Sequence, residues 1–470
     1  MSDEETPLLA RVSTDIAHEA LYARFIPLQK RMISALVSCS ALIPLFAGAS
    51  FIPSIPDIAR DLDSTPKVIS FAVSISIFSS AIGSMIFATY STFYGRRPAY
   101  LFGLPLLCLG SLGVGTATRI PDLMFWRAVQ AVGSSGGMSV GSGVIADIYK
   151  LTERGTAMGI FLAAALLGNA LAPIIGGWVS HYASWRYLQL GLFAFGAVLW
   201  LAMVFYLPET SHPGTTGLEK LAAEDSTERG RPRFRWVWLN PFSCLWFLRS
   251  PNLALVTFSS SAVLVTEFGL QVPMAYTIGE RYGITNEALI GACFFPMGLG
   301  NILGAPLAGW FSDRMVIKWR AKRGGVWVAE DRLRGAQLGA ATLVPLSILA
   351  SGIITTFVPG RVGLIFNLFC FLINGIGVDL VLSPGSAYCV DVMHSRSAEV
   401  MAAGAGVRAV FLSVVVAGIL PSIERNGVLA TDAIGAGIAW LGFLAIWLVI
   451  QYGGRMRSWI DIGYSTQQNN

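Results

Sequence analysis

The sequence predicts an all-α membrane protein with twelve transmembrane helices in two pseudo-symmetric six-helix bundles. Three observations carry this. Of 470 residues, 54% are hydrophobic and 13% charged, with a mean hydropathy of +0.61; globular domains run near 25% charged. Twelve apolar segments reach the ~20 residues that a span requires. A polar stretch over residues 209–250 divides them six and six, the layout of a chain built from two repeated halves.

Along the chain, the tail 1–31 opens acidic at Asp3, Glu4 and Glu5 and carries no cleavable signal pattern. Its segment Ala20–Ile33 mixes apolar and basic residues, which suits either the surface of the inner leaflet or a solvated helix. The first bundle, 32–208, holds spans over 33–55, 67–89, 99–118, 123–146, 156–179 and 186–207. The linker 209–250 carries Glu209, Lys220, Glu224, Asp225 and four arginines from Arg229 to Arg235. The second bundle, 251–452, holds spans over 253–276, 288–311, 336–357, 362–389, 399–421 and 431–452, and the tail 453–470 follows.

Most of the 33 Lys and Arg residues fall in the tails, the linker and the loops on their side of the membrane. This predicts that both termini are cytoplasmic. The net charge of +5 follows from that distribution and does not point to nucleic acid. The six cysteines, Cys39, Cys108, Cys244, Cys293, Cys370 and Cys389, fit no metal spacing and suit small packing positions. No metal and no cofactor is expected.

Four motifs stand out. The loop after the second span reads ATYSTFYGRRP (Ala88–Pro98), with Gly95, Arg96 and Arg97; the second half has GWFSDR, with Gly309, Asp313 and Arg314. The fourth span carries RAVQAVGSSGG, with Arg127 and Gln130. An arginine within a span costs a few kcal/mol, so it faces a cavity or an acid, or snorkels to water. The fifth span carries GNALAPIIGG, with Gly168, Pro173, Gly176 and Gly177. In a soluble helix each Gly would cost about 1 kcal/mol and Pro about 3. In a membrane, small residues admit close helix packing and Pro a kink. Finally, the fourth and tenth spans each end in an acid followed by an arginine, Asp147 with Arg154 and Asp391 with Arg396. Equivalent positions in two repeats would produce this.

On these motifs the chain resembles the major facilitator superfamily, and within it the fungal drug:proton antiporters with twelve spans, from Met32 to Tyr452. Ala88, Thr92 and Phe93 stand where the family pattern has Gly, Asp and Arg. Thr92 cannot supply the charge with which the family aspartate holds a cytoplasmic latch. Ala131 and Ala172 replace family glycines. The resemblance implies substrate/proton exchange through a central cavity of the first, fourth, seventh and tenth spans. Arg127, Gln130, Gln271 and Asn374 would then face the substrate.

Proton coupling needs a group that gains and loses a proton, and an acid within a span is a functional hypothesis by default. Glu267 lies mid-way along the seventh span and Asp379 mid-way along the tenth. Asp379 precedes Asp391 by 12 residues, about 18 Å of helix, and Arg408 lies about 15 Å into the eleventh span from the same side. This similar depth predicts an Asp379–Arg408 ion pair. Glu267 has no base at its depth, which makes it the preferred titrating group.

The expected function is proton-coupled efflux of a small organic compound: a drug, toxin, organic acid or secondary metabolite. A proton-coupled importer or facilitator of a nutrient is the alternative. A receptor or scaffold would have no need of Glu267, Asp379 and Arg127. An enzyme is not expected, because the chain has no nucleophile–base constellation and no phosphate loop. The expected partners are a small-molecule substrate, protons and the lipid bilayer, with a monomer in the plasma membrane or, alternatively, the vacuolar membrane.

Overall fold

The computed structural model describes Tyr22 and residues 24–149, 151–213, 216–219, 221, 237–274, 281–284, 286–326, 328–393 and 397–460. The first half runs through α1 (Pro27–Ala49), the short α2 (Ile55–Asp61), α3 (Pro66–Tyr94), α4 (Arg96–Thr116), α5 (Ile120–Ile148), α6 (Leu151–Tyr182) and α7 (Trp185–Tyr206). The second runs through α8 (Pro251–Pro273), the short α9 (Glu287–Cys293), α10 (Phe295–Lys322), α11 (Val344–Phe357), α12 (Gly360–Val392), α13 (Ser397–Asn426) and α14 (Val428–Trp459). The eighth span combines α9 and α10, and tighter and wider helical turns over 329–343 lead into α11 to complete the ninth.

Among the described residues, eleven helices are long and apolar enough to cross a membrane. The remaining one of the expected twelve, α5, has 29 residues, but its run of Gly and Ser lowers its hydropathy. The first span differs from expectation. It covers Pro27–Ala49 rather than 33–55, and Pro27–Ile33, the second half of the segment read as a leaflet-surface or solvated helix, forms its opening turns. Pro27 pre-sets the helical φ at the first position, and Lys30 and Arg31 fit a helix end that reaches water.

The two halves meet along two pairs of spans, the fifth (α6) against the eighth (α9 and α10), and the second (α3) against the eleventh (α13). Three apolar cores show how they close. One core joins both halves, from Phe51, Ile55 and Ile69 to Leu270, Phe294 and Leu420. It lies at the distal end of the bundle, away from Pro27 and Trp459. At the terminal end each half has its own core. The halves are therefore packed together distally and separate at the terminal end. Lys67 of α3 pairs with Glu424 of α13 at 2.8 Å, adding to the distal closure. At the end of α2, burial pushes the Asp61 carboxyl up, but hydrogen bonds from Trp185 and Arg186 outweigh this and hold it below the ordinary carboxylate value.

The start of α4 shows how a loop motif is built. Gly95 has φ +106°, a conformation that suits glycine. The Glu209 carboxylate accepts from the backbone N–H of Arg96 (2.9 Å) and Arg97 (3.1 Å). These are orphan donors of the first helical turn, where an anion is stabilised. Glu209→Ala should cost about 1 kcal/mol, the scale of a helix cap. The readout is a lower Tm of the purified protein, with Glu209→Gln losing less because it keeps an acceptor; an unchanged Tm for the alanine variant would exclude the capping role.

Candidate functional site: a central cavity between the halves

A cavity of about 360 Å³ lies between the halves. Eight spans line it rather than the four expected: the second, fifth, eighth and eleventh contribute besides the first, fourth, seventh and tenth. Its walls are largely apolar, with Leu45, Ile52, Ile77, Phe268 and Leu412 among them.

On the first-half side, Arg127 and Gln130 face the cavity as expected. Arg127 is 1% exposed, so it does not snorkel. Its Nη1 donates to Gln130 Oε1 (2.8 Å) and to the Ala47 carbonyl (3.3 Å), and the guanidinium stacks over Phe51 at 4.2 Å. Gln130 in turn donates to Ser111 and Gln189, both at 2.8 Å. Arg127 Nε and Nη2 have no hydrogen-bond partner among the described residues. A guanidinium held this way, without a carboxylate, leaves donors for a bound compound.

On the second-half side, Glu267, Gln271 and Asp379 also face the cavity. Glu267 Oε1 accepts from Gln271 Nε2 (3.3 Å) and from Asn301 Nδ2 (3.2 Å). Asn301, on α10, was not anticipated; the available signal was a lone amide within the apolar stretch GNILGAP. Asp379 Oδ2 has no partner among the described residues.

Two expectations are corrected. Asn374 does not line the cavity. It is fully buried and donates to Thr266 and Ser347, both at 3.0 Å, tying the tenth span to the seventh and ninth. Arg408 does not pair with Asp379. Asp379 packs near Gly304 of α10, whereas Arg408 lines a separate cleft beside Cys389. The two face different neighbours, and the Arg408 cleft lies on the terminal-end side of the Asp379 level.

The terminal-end motifs form matched constellations in the two halves. Arg96 Nε pairs with Asp147 at 3.0 Å, and Thr92 Oγ1 accepts from Arg96 Nη1 at 3.4 Å. In the second half Arg332 pairs with Asp391 at 2.7 Å and with Asp313 at 3.4 Å. Thr92 thus occupies the place that Asp313 holds in the other half, a hydroxyl in place of a charge. Arg96 and Arg332 are the partners of the two acids; the Arg154 side chain and Arg396 lie outside the described residues. Arg97 donates to the Val204 carbonyl at 2.9 Å, Arg314 stacks over Trp310 at 4.3 Å, and Gly309 faces open space.

The fifth-span motif divides into two faces. A Cβ on Gly168 would lie 2.7 Å from the Leu42 carbonyl oxygen, and one on Gly176 would meet that of Ser50. These glycines let α6 rest on α1 within the first half. Pro173 and Gly177 instead meet Gly291 of α9, and Ala170 meets Gly298 of α10, across the two halves.

A family profile described as Major Facilitator Superfamily matches residues 37–418. The chain is 27% identical to the efflux pump radE of Floropilus chiversii, over 92% of this chain and 82% of that one. It is 24% identical to citrate exporter 1 of Aspergillus niger, over 67% and 62% respectively. The fold is similar to a bacterial homolog of the human lysosomal transporter Spinster, with TM-score 0.63, 12% identity and coverage of 94% and 100%. It is likewise similar to the xylose transporter XylE from E. coli, with TM-score 0.62, 13% identity and coverage of 93% and 98%. With the profile spanning most of the chain and the paired six-helix bundles around one cavity, the chain belongs to the Major Facilitator Superfamily.

Proposed function

We propose that this chain exports a small organic compound in exchange for protons, by alternating access across the plasma membrane with both termini cytoplasmic. The observation that carries this is the central cavity: two acids, Glu267 and Asp379, share an apolar chamber with Arg127 between halves that are closed at one end only. A carboxyl there can exchange its proton with whichever side the chamber faces. The efflux pumps and exporters among its relatives support outward movement of cargo. The path lies within one chain, so a monomer suffices.

The test uses inside-out vesicles that contain the protein, made acidic inside, with radiolabelled organic acids and amphiphilic drugs as probes. Accumulation of a probe that collapses on adding a protonophore is the expected result. Accumulation unaffected by the protonophore would overturn proton coupling. Accumulation in right-side-out vesicles alone would overturn export.

A further inference from the structure

Arg408 is a cation within a span that the central cavity does not use. Among the described residues it makes no ion pair and no hydrogen bond. The other arginines at comparable positions are engaged: Arg96 and Arg332 by acids, Arg127 by Gln130, Ala47 and Phe51. An unpaired guanidinium within a span is costly and marks function. Its cleft adds the hydroxyls of Thr257, Ser260 and Ser386 and the thiol of Cys389, and none of the three hydroxyls is used in a side-chain hydrogen bond among the described residues. A guanidinium beside unengaged hydroxyls is a donor set for an oxyanion.

The cleft adjoins the central cavity on its terminal-end side. On α12 the lining passes from Asp379 and Leu382 to Ser386 and Cys389; on α8 it passes from Glu267 and Leu264 to Ser260 and Thr257. Each step is one to two helical turns, about 5–10 Å. With the halves apart at the terminal end, a compound entering there meets Arg408 before it meets the two acids. The cleft itself is narrow, about 20 Å³, room for one small group rather than a whole molecule. The wider space beyond it is apolar at Leu264, Leu382 and Leu412.

We propose that Arg408, with Thr257, Ser260 and Ser386, forms an anion-capture subsite for the carboxylate of an amphipathic organic acid whose apolar body extends into the central cavity. The separation from Glu267 and Asp379 serves this, because it keeps the cargo's charge away from two acids that would repel it. The assignment rests on the transporter reading above and adds the substrate class.

The test measures binding rather than transport, so that the two proposals fail separately. The full-length protein in nanodiscs is titrated with aromatic and aliphatic monocarboxylates, each paired with its uncharged primary amide, with no pH gradient. Carboxylates should bind about tenfold or more tighter than their amides, the scale of a charge-assisted hydrogen bond. Arg408→Gln should bring that ratio to about one, and Arg408→Lys should keep most of it. No preference in the parent protein, or a preference that survives Arg408→Gln, overturns the subsite. If the glutamine variant fails to fold, alkylation of Cys389 in the parent decides. A saturating carboxylate should slow it and the amide should not; equal rates with and without carboxylate overturn the subsite. Vesicles that carry only neutral or cationic compounds would refute it and leave the transport proposal standing. Carboxylate binding as described, with no exchange in vesicles, would do the reverse.

Discussion

Gly291→Leu will arrest transport while leaving the protein folded. Gly291 of α9 rests on α6 of the other half, where an added Cβ would be driven into the Pro173 carbonyl oxygen and lie 3.2 Å from Gly177 Cα. Overpacking of this kind costs about 1–3 kcal/mol. The contact joins the halves, so the cost falls on the distally closed conformation alone and depopulates it about 5- to 150-fold. Two measurements check this: the rate of substrate exchange, and the reactivity of Cys293, which is buried here at 7% exposure. Cys293 should become reactive as the halves part distally. Exchange at the parental rate with Cys293 still protected would show that this approach is not part of the cycle. Gly176→Leu makes the contrast. It collides with Ser50, which caps the end of α1 in the same half, so it should lower stability in every conformation rather than shift between them. Ala172 shares the Gly168–Gly176 face by its spacing and is fully buried, so Ala172→Gly should be tolerated and Ala172→Leu should not.

Glu267→Gln is the second large effect. The amide keeps an oxygen that can accept from Asn301 and Gln271, so the cavity retains its shape. What is lost is the group that can take and release a proton. Proton-driven accumulation should fall to the level of the parent protein treated with protonophore, while downhill movement of cargo continues. Undiminished accumulation would remove Glu267 from the coupling role. Loss in Asp379→Asn with Glu267→Gln unaffected would move the role to Asp379, whose Oδ2 is unpartnered among the described residues.

Much of the site was legible because residue type alone is informative inside a membrane. A charged or amide side chain in a span needs a polar partner or a cavity, which selected Arg127, Gln130, Glu267, Gln271 and Asp379. Asn374 failed for a rotational reason. It lies five residues from Asp379, and at 3.6 residues per turn the two point about 140° apart, so one faces the cavity and the other the packed interior. Arg408 failed for a related one. Counting residues from a helix end gives depth, and depth does not say which neighbour a side chain faces. The fifth-span motif was legible as close packing, but not as two faces gripping different partners.

The sequence by itself determined the class of molecule. Apolar runs of span length, their division six and six, and the paired terminal-end motifs are local properties that no alternative packing can change. Only the tertiary structure decided where the halves touch, which end is closed, and that eight spans rather than four enclose the cavity. It also separated Arg408 from Asp379 and joined Glu267 to Asn301. These facts depend on the rotation of each helix about its axis and on the surface it presents to helices far away in the chain. A span's hydropathy is nearly indifferent to that rotation, whereas the packing of small residues such as Gly291 against Pro173 is not.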